Sequence, residues 1–232
     1  MDYIVSIVRK KLGVAKRFFW RICDVFFSKL TIDDGLMQKT IKDFGLEKIT
    51  NQLREEYENI AFKEGENADY YKHILTYIHA NEYLSNNPFF VYPPNVAVID
   101  FLLKNINSGA IVLEYGCGLG NLLIYLRNIN YRQSFGYDNY SQIQKETVIS
   151  FLERFSLKDV IVSKERALTL KNKVAVCIGY FWSGLGKELL LKEAQNSSLE
   201  YILIDYPYAP RYIRNFKIVG IYEKLLIVFK RI

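Results

Sequence analysis

Residues 110–138, AIVLEYGCGLGNLLIYLRNINYRQSFGYD, constrain the fold most, because a short apolar run there ends in an acid and three alternating glycines. Ala110 to Leu113 are apolar and bounded by Ser108-Gly109 and Gly116, which predicts a fully buried strand. The period then changes. Leu122, Leu123, Tyr125, Leu126 and Ile129 recur at helical spacing, so a helix is expected from near Gly120-Asn121 to about Asn128. Strand, glycine turn and helix make the first half of a βαβ unit.

Gly116, Gly118 and Gly120 can adopt positive φ and carry no Cβ, so a ligand can lie against the backbone. The following helix directs its free N–H groups at the same place, the arrangement that binds pyrophosphate in dinucleotide enzymes. Here the spacing is GxGxG rather than GxGxxG, with Glu114 two residues before the first glycine. A carboxylate there repels a pyrophosphate and suits a ligand with an amino group. Ser134 to Tyr137 predicts a second short strand ending in Asp138, where such folds hold a ribose hydroxyl pair.

ExGxGxG after a strand, with Asp138 closing the next, resembles motif I and the following acidic loop of class I S-adenosylmethionine-dependent methyltransferases. The resemblance covers roughly residues 90–232. It implies S-adenosyl-L-methionine as cofactor, with Glu114 near its methionine end and Gly116, Cys117, Gly118 and Gly120 supplying close backbone. Asp138 would accept the ribose hydroxyls, and Asn139 or Tyr140 would border the adenine.

The expected fold is α/β: a Rossmann-like, seven-stranded methyltransferase sheet of five parallel strands plus a C-terminal antiparallel hairpin, after a helical N-terminal extension. Later strands are expected at Asp159–Ser163, Lys173–Gly179 and Tyr201–Asp205, each nearly continuous in apolar residues as strands buried on both faces are. Helices are expected at Val96–Ile106, Ser141–Phe155 and Leu185–Asn196. Phe216–Tyr222 and Lys224–Lys230 are separated by little more than Glu223, which permits only a hairpin.

Three cysteines lie far apart without a CxxC, and there are two histidines, which supports neither a disulfide framework nor a zinc site. No metal is predicted, and a reducing cytoplasm is the expected compartment. Of the net charge of +6, residues 1–30 carry seven Lys/Arg against two Asp, leaving the remainder close to neutral. A broad nucleic-acid face on the catalytic domain is therefore not expected.

Residues 3–30 plot as a basic amphipathic helix, interrupted by charge too often to span a bilayer. Two readings stay open for it: an interfacial membrane anchor, or a face that packs on its own domain or a second copy. The division expected is 1–30 amphipathic helix, 31–89 helical extension or lid, and 90–232 methyltransferase domain. His73 and His79 lie six apart, which is not a metal-binding spacing. The aromatic run around Tyr77 and Tyr83 is a candidate lid.

In the family the acceptor is met at the ends of the fourth and fifth strands. Those ends hold an aromatic wall of Tyr180, Phe181, Trp182, Tyr206 and Tyr208, with Tyr92 as a further pocket candidate. Asp205 is the candidate base. DYPY at 205–208 differs from the [DN]PPY motif of amino-group methyltransferases both in its strand and in its second residue. The function implied is methyl transfer to oxygen or nitrogen of a small-molecule or glycan-type acceptor. Its rivals are a methyltransferase-like scaffold without turnover and a nucleic-acid methyltransferase.

Overall fold

The computed structural model describes residues 42–43, 45–61, 93–139, 145–178, 185–195, 198–206, 209–222 and 225–232. The amphipathic segment 3–30, His73, His79, Tyr77 and Tyr83 lie outside the described residues.

The elements, in order, are α1 (Glu47–Ala61), α2 (Pro93–Asn105), β1 (Val112–Tyr115), α3 (Asn121–Asn128), β2 (Ser134–Tyr137) and α4 (Lys145–Glu153). There follow α5 (Lys164–Thr169), β3 (Val174–Cys177), α6 (Leu185–Glu193), β4 (Tyr201–Asp205), β5 (Phe216–Tyr222) and β6 (Leu226–Arg231). They form one six-stranded sheet in the order β2-β1-β3-β4-β6-β5. β2, β1, β3 and β4 are parallel, while β6 is antiparallel to both β4 and β5 and lies between them. β1, β3 and β4 are short and almost wholly buried, so helices must cover both faces there.

Alternation along the strands sorts the two faces. Leu113, Tyr115, Ala175, Cys177, Ile202 and Ile204 join Ala167 of α5 and Leu189 and Leu190 of α6 in one core. Glu114 and Asp205, being out of step with these, belong to the opposite face. That face carries α2, whose Phe101 meets Tyr201 edge-on at 5.6 Å, and α3, whose Leu123 lies under Gly136.

Three expectations are corrected. The first strand runs Val112–Tyr115 rather than Ala110–Leu113, because the Ala110 N–H is taken by Asn107 O at 2.9 Å in a turn. Glu114 is thus inside the strand. Among the described residues the sheet has six strands rather than seven, and four parallel strands rather than five. Asp159–Ser163 shrinks to a parallel bridge between Ile161 and Gly136 at the β2 edge. Asp159 has φ +57°, and Ser163 already caps α5 by accepting from Arg166 N, so two backbone demands cut the strand from both ends. The hairpin forms as expected, with its second strand at Leu226–Arg231.

Helix α1 packs on the sheet domain. Leu46, Ile49 and Leu53 share one helical face and are buried. Thr50 Oγ1 donates to Leu46 O and so receives the Tyr125 hydroxyl at 2.9 Å, a buried link from α1 to α3. Glu56 pairs with Arg154 just beyond α4. At the other side of the sheet, the Arg231 guanidinium donates to Leu199 O and Ala194 O and stacks over Phe216, fixing β6 against the loop that enters β4.

Tyr125→Phe and Thr50→Val are each expected to cost about 1 kcal/mol of unfolding free energy. In urea denaturation the double variant should cost less than the two together. Strict additivity would show that the two hydroxyls do not interact.

Candidate functional site

The chain passes from β1 outward to β2 and then returns to β3 on the other side of β1. Open α/β sheets receive ligands beside such a reversal, here at the carboxyl ends of β1 and β3. Residues 114–120 fill that position.

The turn after β1 has a shape that side chains would forbid. Gly116, Gly118 and Gly120 have φ of +74°, +51° and +78°. Gly116 N–H donates to Tyr137 O at 2.7 Å and Gly120 N–H to Cys117 O at 2.7 Å, so the loop is folded back on β2 and on itself. The three glycines differ in what they face. Gly118 has open space where a Cβ would stand. At Gly120 a Cβ would meet Leu152 Cδ2 at 2.9 Å. Gly118 therefore presents bare backbone outward, whereas Gly120 is small so that α4 can approach.

Gly136 on β2 is the glycine that the sequence reading passed over. A Cβ there would lie 2.7 Å from both Cys117 Sγ and Leu123 Cδ1. Cys117 fills the space that Gly136 leaves, which seats the turn on β2. Its thiol is held well above its usual range, first by burial and then by Glu114 and Asp138, so it serves as packing rather than as a nucleophile.

Two carboxylates frame the turn. Asp138, the residue after β2, accepts the Gly118 N–H on Oδ2 at 2.9 Å. Glu114 is 4% exposed, and its Oε2 is buried with no hydrogen-bond partner among the described residues. Burial, and then the neighbouring Asp138, push its pKa from 4.5 up to about 8. A buried acceptor without a donor is costly.

Asn139 follows Asp138 and is exposed. Asp205 ends β4 with no solvent exposure, on the sheet face that also holds Glu114. Tyr206 is 38% exposed and its N–H donates to Leu225 O. Tyr92, Tyr140, Tyr180, Phe181, Trp182 and Tyr208 lie outside the described residues. The structure thus brings together Glu114, the glycine turn and Asp138, with Asp205 two strands away.

No family model matches the chain, and no curated protein matches it. Among solved structures it is similar to a magnesium protoporphyrin IX methyltransferase from Synechocystis with bound SAH, at 12% identity over 81% of this chain and 98% of that one, with a TM-score of 0.42. It is similar to a methyltransferase from Thiobacillus denitrificans in complex with S-adenosyl-L-homocysteine, at 24% identity over 49% and 48% of the two chains, with a TM-score of 0.35. A third is a protein from Streptococcus pneumoniae described as a tRNA methyltransferase, at 18% identity over 58% and 69%, with a TM-score of 0.42. These are likenesses of fold; the chemistry of the site rests on the residues above.

Because the folded-state pKa of Glu114 lies above its ordinary value, ionising it opposes folding. The protein should lose stability as pH climbs from 4.5 to about 8 and level off beyond, by an amount on the order of several kcal/mol. Glu114→Gln should flatten that decline in denaturation midpoints taken across the window. A parallel decline in both proteins would place the pH dependence elsewhere. Gly136→Ala should cost about 1–3 kcal/mol in the same assay, by overpacking Cys117 and Leu123.

Proposed function

We propose that the chain binds S-adenosyl-L-methionine at the turn after β1 and transfers its methyl group to oxygen or nitrogen of a small-molecule or glycan-type acceptor. The observation that carries this reading is the buried Glu114, whose Oε2 has no partner among the described residues, beside a glycine turn that leaves Gly118 bare and that Asp138 braces. A phosphate ligand is disfavoured at two carboxylates, whereas an ammonium or sulfonium compensates them.

The residues fit the cofactor on the structure's own terms. Gly118 leaves room for a ligand against the backbone, and Glu114 offers an oxygen that lacks a donor. Asp138 stands at the end of the second strand, where ribose hydroxyls are held in sheets of this kind. Asn139 would border the base. When bound, the cofactor supplies a methyl group already activated for displacement by its sulfonium.

What the chain adds is position and charge. Glu114 becomes the counter-ion of a cation and gives up its proton as the cation arrives. At Gly118 the ligand can lie against bare backbone. Asp205, at the β4 end on the same face, is the candidate that would take a proton from a protonated acceptor. If the acceptor is already neutral, holding it at attack distance supplies most of the acceleration.

Titration of the full chain with S-adenosyl-L-methionine and with its demethylated product in a calorimeter should give saturable heat. At pH 7 binding should release up to about one proton, read from the dependence on buffer ionisation enthalpy, because a cation draws the raised Glu114 pKa downward. Glu114→Gln should abolish the proton release and weaken binding by about tenfold or more, as should Asp138→Asn for affinity. Absence of saturable heat with either compound overturns the proposal. Transfer of labelled methyl to a cell extract separates an enzyme from a binding protein on the same fold.

A further inference from the structure

Strand β5 lies at the border of the sheet and is paired on one side, with β6. Among the described residues no strand pairs with its other backbone edge, and much of its side-chain surface is exposed. Ile218, Val219 and Ile221 are 45%, 48% and 51% exposed. Tyr212 is 71% exposed, and Ile232, whose N–H donates to Asn215 O beside the start of the strand, is 77% exposed.

Three cations lie at or just before the start of the strand. Arg211, Arg214 and Lys217 are exposed, and among the described residues none of them is ion-paired. Lys230 stands across from Lys217 on β6. Residues 209–232 contain six Lys/Arg and one Glu.

A lysine on an edge strand is an ordinary guard against edge-to-edge pairing. Aliphatic residues exposed along that edge are not part of such a guard. The charge selects among occupants. A second copy pairing here would set cations against cations. A single-stranded nucleic acid would use the cations and could stack on Tyr212, but it would leave Ile218, Val219 and Ile221 in water. An anionic bilayer uses both sets, with headgroup phosphates for Arg and Lys, the acyl boundary for the aliphatics, and the interface itself for a tyrosine.

We propose that the open β5 edge is a docking surface for an anionic membrane. The contact is peripheral, since among the described residues no helix is long and apolar enough to cross a bilayer. It is independent of the methyl-transfer reading.

The test needs a probe that reports on β5 itself, because residues 1–30 are also basic and amphipathic. The full chain carrying Val219→Cys, with Cys23→Ser, is labelled with a polarity-sensitive thiol dye; the remaining cysteines, Cys117 and Cys177, are buried. Mixed vesicles of phosphatidylglycerol and phosphatidylcholine should shift the emission to the blue and protect the dye from iodide. Vesicles of phosphatidylcholine alone should do neither. Arg214→Gln with Lys217→Gln should weaken partitioning roughly fivefold or more, and added salt should reverse it.

Unchanged iodide quenching in the presence of anionic vesicles overturns the proposal, whether or not the chain floats with them. Protection that accompanies a doubled mass without vesicles, or that appears with an RNA oligonucleotide and not with vesicles, assigns the edge to those partners instead.

Discussion

A carboxyl group held out of water beside a second carboxylate is the constraint from which the arrangement at the sheet's carboxyl end follows. Glu114 sits within β1, so its place is fixed by the ladder to β2 and β3 and it cannot swing to solvent. Near neutrality the fold tolerates it by keeping it protonated. The turn behind it passes on three glycines with its two side chains, Cys117 and Leu119, buried, and Asp138 stays near enough to hold Gly118 N–H. Replacing water by fixed groups costs stability in advance, which a ligand of the right charge can recover.

Much of this was legible in the chain. Ser134–Tyr137 is a strand as expected, Tyr201–Asp205 is found where apolar continuity predicts it, and α3 starts and stops where the leucine spacing says. Local pattern suffices there because buried parallel strands and the helix between them have few other options. The antiparallel hairpin was readable from the shortness of its connection.

The misses are those in which a distant or backbone demand overrode local pattern. Ala110 looks like strand but is spent on a turn, while Glu114 looks like a strand terminator but is buried inside one. The apolar run at 159–163 loses its strand to a helix cap and a positive φ. Ser163 followed by Glu165 is a helix-start signal that could have found α5. No sequence signal joins Thr50 to Tyr125, 75 positions apart, or sets Gly136 over Cys117. Such pairings exist only once the sheet has brought their elements together.

The placement of β6 between β4 and β5 has a temporal consequence. The ribosome delivers β5 first, yet its partner in the finished sheet is the strand made after it. Until then a length of isoleucine and valine emerges with neither edge satisfied, and Arg231 has not yet bound the carbonyls of Ala194 and Leu199. Vectorial synthesis therefore leaves this domain incomplete until its closing strand is out of the exit tunnel, and the nascent chain carries an adhesive segment for that interval.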